Sequence, residues 1–370
     1  MSRFPRGLRL LCAIAFTLQA CGGGGSTEPP PKPAPKPAAL SNPDSTAAQL
    51  QSLNAPFRTD VFVNFGALHQ HFGPAGATPV AAFSPMAVAA VTSPAVAPGL
   101  MRTEAAIRVW RSALASRPVA DAIFRDTVRG KTFVWDTTAA RYVTSTAAGA
   151  PANGVRFVLY TTQPPISEPS RPLTAMGYAD LTDQSTASAA VLGVTVFGGT
   201  GATPVTYVSY TVARSAAPQL EWAVVGFVTD GATLLDLASA VTATSTLTVQ
   251  TTVDDATDGT HVSETGTLSR TWETSADFSL TSGADTVRAT GSVALDTTGH
   301  TWGRGSVAVT VNGQAFATIT VAPTGPSYSG ASGVQLTPAD EAVLANLFIA
   351  WNSLFGAVTV LTDAAWVLRL

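Results

Sequence analysis

The sequence predicts a mainly β protein: a large curved antiparallel meander sheet or partly closed barrel, with N-terminal helices and a C-terminal covering helix. Apolar residues recur with a period of two from Lys131 onward, as they do on strands that bury one face. The links between these runs are too short for parallel crossovers, which need about a dozen residues or more. We expect about twelve strands, and a sheet of that size must curl, close or split into two layers.

The alternation of apolar and polar residues places most of the strands. It is clearest over 285–296, where Val287, Ala289 and Val293 face one way. Residues 259–272 are polar on both faces, so we expect them to project beyond the core. The remaining strands are expected at 132–135 and 141–144 (a hairpin), 154–162, 174–182, 189–197, 204–214, 221–229 and 242–253.

A two-residue turn gives the strongest local signal in the chain. Asn312-Gly313 stands between alternating runs at 307–311 and 314–317. This dipeptide favours a type I′ hairpin because both turn residues need a positive φ. A regular hairpin would pair Val309 with Phe316 across the ladder.

Helices are expected before and after the strands. Ser45 is a possible cap for a helix that runs to Leu53, and residues 61–72 and 103–115 are also expected to be helical. At the other end, Thr337-Pro338 followed by two acidic residues is typical of a helix start. An apolar stripe follows this start, formed by Leu344, Leu347, Phe348, Trp351 and Phe355.

The first residues have the features of a processing signal. Residues 1–20 contain three arginines and no acidic residue, and an apolar run at 10–18 is too short to span a bilayer. The run ends in Leu18-Gln19-Ala20-Cys21, which resembles the lipobox of bacterial lipoproteins. The resemblance implies cleavage before Cys21, acylation of Cys21 and attachment to a lipid bilayer. The alternative is an ordinary secretory signal that contains an incidental cysteine.

Composition divides the chain into four segments. Residues 1–20 are the expected signal peptide, and 21–44 hold the lipidated Cys21 with a Gly- and Pro-rich tether. Residues 45–130 are a helical lead-in, and 131–370 are the antiparallel β domain with its C-terminal helix.

The expected location of the protein is the cell envelope. Gly22, rather than aspartate, follows Cys21, and in Gram-negative lipoproteins this implies the outer membrane. The second cysteine, Cys12, would be removed with the leader, so the body would contain no thiol.

Charge and motifs restrict the possible chemistry. With 21 basic and 24 acidic residues, the chain has no basic stripe that would suit nucleic acid. No cofactor is expected, because no phosphate-binding glycine loop and no catalytic signature occur in the sequence. Weak candidates remain in the acidic stretch Asp254, Asp255 and Asp258, whose oxygens are a possible metal site. Its spacing does not fit an EF-hand, so a solvated turn is the simpler interpretation.

Two other sets of residues are weaker still. His69 and His71 would share one side of a strand but lie apart on a helix, and no carboxylate is near them in sequence. Asp180 and Asp183 are a conceivable acid–base pair at a strand end.

Three stretches of the body, 130–136, 151–160 and 177–183, resemble a family of uncharacterised bacterial lipoproteins. The resemblance carries no activity and no catalytic residues. We therefore expect an envelope lipoprotein with a structural or interaction-making role. An envelope protein is a possible partner. The first alternative is a carrier or sensor of an apolar ligand held between the curved sheet and the helix. The second is an enzyme acting on the cell wall or on carbohydrate.

Overall fold

The computed structural model describes residues 37–68, 122–162, 169–187, 189–201, 203–215, 220–243, 246–269, 273–296 and 301–363. All of them belong to one compact unit, Pro37–Leu370, which is distinct from Met1–Lys36. The expected signal peptide, Cys21 and most of the tether lie outside the described residues. So do the expected helix at 103–115 and the residues His69 and His71.

The described chain contains helices α1 (Pro43–Ser52), α2 (Asp60–Leu68) and α3 (Pro338–Asp363), with a 3₁₀ turn at Pro56–Arg58. The strands are β1 (Lys131–Asp136), β2 (Arg141–Ser145), β3 (Gly154–Tyr160), β4 (Ala175–Asp183), β5 (Ala190–Gly198), β6 (Val205–Ser215), β7 (Leu220–Thr229), β8 (Leu234–Ala243), β9 (Leu247–Asp255), β10 (Thr260–Leu268), β11 (Glu273–Ser282), β12 (Asp285–Asp296), β13 (Thr301–Val311), β14 (Gln314–Ala322) and β15 (Gly325–Gly330).

The strands form one sheet of 15 members, in which β3 to β15 lie in chain order. Neighbours pair antiparallel, which confirms the predicted meander. The exception is β1, which pairs antiparallel with β2 but parallel with β3. The connection after β2 therefore carries the chain past β1, and β2 becomes an edge strand. The other edge is β15, so among the described strands the sheet is open rather than closed.

One face of the sheet, here called the inner face, is buried, and the helices pack on it. Alternate residues of each strand point to it, such as Val208, Val212 and Val224, which are less than 1% exposed. Inner-face residues of β3 to β14 and residues of all three helices belong to one hydrophobic cluster. A single cluster of this kind requires the sheet to curve around its helices.

Two strand glycines show where neighbouring backbones approach closely. A Cβ at Gly226 would lie 2.1 Å from the Ser209 carbonyl oxygen, and one at Gly291 would lie 2.1 Å from that of Ser306. No side chain can occupy these positions without a shift of the neighbouring strand. Glycine at these places lets the strands bend around the helices.

The N-terminal helices are fixed by polar contacts to the sheet. The α1 cap is Asn42 rather than Ser45: its side chain accepts a hydrogen bond from the Ser45 N–H at 3.1 Å, and Pro43 begins the helix. The backbone N–H and the hydroxyl of Ser41 both donate to Asp285 on β12. The described part of the expected helix 61–72 is α2, which confirms that prediction for those residues.

Helix α3 covers the inner face as expected. Thr337 and Asp340 form a reciprocal cap: the Asp340 N–H donates to the Thr337 hydroxyl, which in turn donates to the Asp340 carboxylate. The stripe residues Leu344, Leu347 and Trp351 are buried against the core. The helix packs along α1, and its Val360 lies against Gly66 of α2.

The predicted register of the Asn312-Gly313 hairpin is wrong by one residue beyond its first pairs. Both turn residues have the expected positive φ, 51° and 77°. Val309 pairs with Ala317, however, and not with Phe316, because a β-bulge interrupts β14. The bulge turns both Phe316 and Ala317 into the core, which adds apolar burial that a regular ladder would lose.

The strand prediction fails in two ways: strands β8, β11 and β15 were not expected, and residues 259–272 were expected to project beyond the core. Strand β8 was not expected, because Ser239 interrupts its buried face and Leu234 lies on the opposite face. The described part of that segment, 259–269, does not project: β10 lies in the middle of the sheet and buries Thr260, Val262 and Glu264. Polar side chains point into the core there, and the sequence pattern alone cannot show this.

Candidate functional site

The space between α3 and strands β11 to β14 is the site at which an apolar ligand was expected. It holds a cavity of about 10 Å³. A volume of this size admits at most one water molecule. A site for a small-molecule ligand would need α3 to move away from the sheet. The walls are hydrophobic: Phe278, Ala289, Val307, Ile319, Leu347, Phe348 and Trp351.

A buried carboxyl group lies beside this cavity. Glu264 of β10 is 3% exposed, and its cross-strand neighbour Phe278 lines the cavity. Neither carboxyl oxygen has a hydrogen-bond partner of standard geometry within the described residues. Burial raises the pKa of Glu264 to about 8, while the side chain of Trp351, which faces it from α3, lowers that pKa in part. Burial thus favours the protonated form of this carboxyl at neutral pH, because an apolar interior disfavours the charged form.

Two hydroxyl groups continue this polar row across the inner face. Thr251 of β9 lies opposite Glu264, and Ser239 of β8 lies opposite Thr251. The two hydroxyls are 3.1 Å apart and hydrogen-bonded to each other. Both residues are buried, so the row brings three polar side chains under the helices.

The structure does not bring the acidic stretch together as a cation site. Asp254 lies on the exposed face of β9, with its carboxylate 2.6 Å from Nδ1 of His261. Asp255 is buried and accepts from the Thr257 N–H, and Asp258 accepts from the Thr260 N–H. These carboxylates organise the β9–β10 turn. Among the residues that the structure describes, no group of three or more His, Cys, Asp or Glu is arranged to hold a metal ion.

The two carboxylates at the end of β4 have separate structural partners. Asp180 forms a two-bond ion pair with Arg156 at 2.7 Å, with the guanidinium stacked over the Tyr178 ring. Asp183 accepts from the N–H groups of Ile123 and Ser185. Burial alone would raise the pKa of Asp183, but these hydrogen bonds outweigh it and lower that pKa. Because they lie three residues apart on a strand, the two carboxylates point to opposite faces.

The strongest chemical features of the inner face were not singled out from the sequence. Glu264 fell in a segment that was expected outside the core, although its alternation with Val262 and Gly266 was a usable signal. Arg214 and Trp222 lie opposite each other on the inner face, and they were not singled out because their proximity depends on the register of β6 and β7.

Comparison with known proteins adds nothing to this picture: no family model, no curated protein and no solved structure matches the chain. Among the described helices, α3 alone is long and apolar enough to cross a membrane by length and composition, over Pro338–Thr362. Since 60% of that apolar window is buried inside the fold, we interpret α3 as a core helix.

Proposed function

We propose that the chain is a lipid-anchored protein of the cell envelope, which presents its sheet-and-helix body on a tether. The observation that carries the proposal is the order of features in the first 21 residues: basic residues, a short apolar run, then a small residue before Cys21. The residues between Cys21 and the compact unit that begins at Pro37 are rich in Gly and Pro, a composition typical of a tether. Two or more acyl chains on one terminus would give stable attachment.

For the body we propose a structural or interaction-making role. The carboxylates that sequence reasoning offered for acid–base chemistry stabilise turns and strand pairs, as Asp180 does with Arg156. Among the described strands the sheet also has two edges, β2 and β15, and edge strands are places at which a sheet can pair with another chain.

Metabolic labelling with a palmitate analogue tests the anchor. We expect the wild-type chain to incorporate the label and to sediment with membranes, and Cys21→Ser to lose both properties. Cys12→Ser is the matched control, because that residue would be removed with the leader. Equal labelling of Cys21→Ser and the wild type would exclude lipidation at this sulfur.

The second candidate function is transport or sensing of an apolar ligand. It is favoured by the hydrophobic cavity between α3 and the sheet, which would grow if the helix moved outward. Native mass spectrometry of the protein released from membranes should then detect a bound apolar compound. A spectrum with only the bare chain and its anchor would count against this function.

A further inference from the structure

A pair of nitrogen donors lies on the inner face where β6 turns into β7. Arg214 of β6 and Trp222 of β7 are direct cross-strand neighbours. The Arg214 guanidinium carbon is 6.0 Å from the centre of the Trp222 ring. Both side chains therefore project from the same face of the sheet at the same level.

Neither donor has an acceptor among the residues that the structure describes. Nε of Arg214 and Nε1 of Trp222 are buried from solvent and make no hydrogen bond there. Within the described residues, no carboxylate forms an ion pair with Arg214. A buried donor without an acceptor costs stability, and the cost is larger when the donor belongs to a charged group. Two adjacent vacant donors therefore suggest an acceptor that binds between them.

The surroundings of the two donors are apolar but not sealed. Trp222 is 5% exposed, and Val212 and Val241, which flank the pair on the inner face, are fully buried. The Arg214 side chain is only partly buried. Part of the Arg214 side chain is therefore in contact with solvent, whereas Trp222 and the two valines beside it form a buried apolar layer.

We propose that Arg214 and Trp222 bind the carboxylate of an apolar acid, such as a fatty acid. The planar guanidinium offers two parallel N–H groups that match the two oxygens of a carboxylate. The indole N–H supplies a further donor. The apolar part of the ligand would lie against Trp222 and the neighbouring valines once the side chains that cover them move aside, since these residues are buried in the ligand-free protein. The site deepens the second candidate function by naming a ligand class, and it does not depend on the anchor at Cys21.

Calorimetric titration of the full chain carrying Cys21→Ser, with decanoate as the probe, tests the site. We expect saturable binding that Arg214→Gln weakens by about tenfold or more, because a charged hydrogen-bond pair is lost. Trp222→Phe keeps the ring and removes only the N–H, so we expect a smaller loss of about threefold to tenfold. Arg288→Gln is the matched control: this arginine pairs with Asp277 on the exposed face and should leave decanoate binding unchanged.

Two further probes separate the possible results. Acetate should bind far more weakly than decanoate, and equal binding would refute the apolar part of the site. Decanol has no charge; if it binds as tightly as decanoate and Arg214→Gln has no effect on either, this assignment fails while an apolar ligand site elsewhere survives. Absence of saturable decanoate binding to the parent chain also overturns the proposal.

A stability measurement gives an independent readout. Arg214→Met replaces the unpaired guanidinium with an apolar side chain, so we expect the ligand-free variant to melt a few degrees higher than the parent. Decanoate should raise the melting temperature of the parent chain but not that of the variant. A variant that melts lower, or that decanoate stabilises equally, would contradict the proposal.

Discussion

At the scale of single residues, Glu264 shows how the inner face tolerates polar groups. Its carboxyl is held away from water beneath Trp351, with a pKa raised by burial to about 8. The ordinary pKa of the group is 4.5, so the folded state keeps a proton that the unfolded chain releases above that pH. Folding stability must therefore fall as the pH rises from about 4.5 to about 8, and it should not fall further from this cause above that range.

Glu264→Gln should remove this dependence. Glutamine has nearly the same shape as glutamate and cannot ionise. At pH 8 we therefore expect the variant to be more stable than the wild type by a few kcal/mol, because the wild type has by then lost the stability linked to its raised pKa. Near pH 4.5 the two proteins should differ by less than about 1 kcal/mol. Urea unfolding across this pH range measures both values.

The matched control for that experiment is Glu273→Gln, which changes an exposed glutamate on the neighbouring strand β11. We expect it to leave the pH profile of the wild type unchanged. Parallel profiles for Glu264→Gln and the wild type would show that the Glu264 carboxyl is ionised and solvated in the folded protein.

Asn312 stabilises the β13–β14 turn by conformation and by hydrogen bonding. It adopts φ of 51°, accepts from the Thr286 N–H at 2.8 Å and donates to Asp285 at 3.0 Å. The Asn312→Ala variant loses both hydrogen bonds, and alanine is less favourable than asparagine in the left-handed region. We therefore expect the free energy of unfolding to fall by about 1–3 kcal/mol.

Two variants control the Asn312 experiment, with chemical denaturation as the measurement. Asn312→Gly retains the conformation and loses only the hydrogen bonds, so its loss should be smaller. Gln314→Ala changes the exposed residue after the turn and should stay within about 0.5 kcal/mol of the wild type. If Asn312→Ala were as stable as Gln314→Ala, the turn would not depend on this side chain.

At the scale of elements, α3 is the part of the core that the sheet wraps. Leu347→Ala would remove a side chain that is 1% exposed and lines the cavity under the helix. We expect a loss of about 2–5 kcal/mol, since the surroundings collapse only in part around the lost atoms.

Thermal or urea unfolding measures the effect of Leu347→Ala. The control is Val225→Ala on the outer face, where the side chain is 57% exposed and its removal should cost little. A Leu347→Ala variant no less stable than Val225→Ala would mean that α3 does not pack on the sheet as described.

The elements that could be predicted from sequence are those whose signals are local. The bounds of β12 follow from strict alternation, and the start of α3 follows from Thr337, Pro338 and the acids after them. Strand β8 was missed because Ser239 places a hydroxyl on the buried face, where Thr251 on another strand satisfies it. The bulge at Phe316 was missed for a similar reason: it is stabilised only by packing against the core, which the local sequence does not show.

At the scale of the whole molecule, the sheet was predictable as a class but not as a topology. Short connections correctly indicated an antiparallel meander, yet they could not show that β1 lies between β2 and β3 with one parallel pairing. That arrangement depends on long-range packing, including the stacking of Phe133 on Phe157 at 4.8 Å.

The same limit applies to the candidate sites. Cys21 could be proposed from sequence because cleavage and acylation signals are linear. Glu264 and the Arg214–Trp222 pair could not be proposed from sequence, because the neighbours of each side chain depend on which strands pair. Contacts that are set by strand register can be identified only when the pairing of the strands is known.

The central proposal is that the processed chain begins with an acylated cysteine, Cys21. Mass spectrometry of the N-terminal peptide from membrane-extracted protein tests it most directly. We predict a peptide that begins at Cys21 and carries the added mass of fatty acyl chains. A peptide that begins at Met1, or one that begins at or beyond residue 21 with no acyl mass, would contradict it.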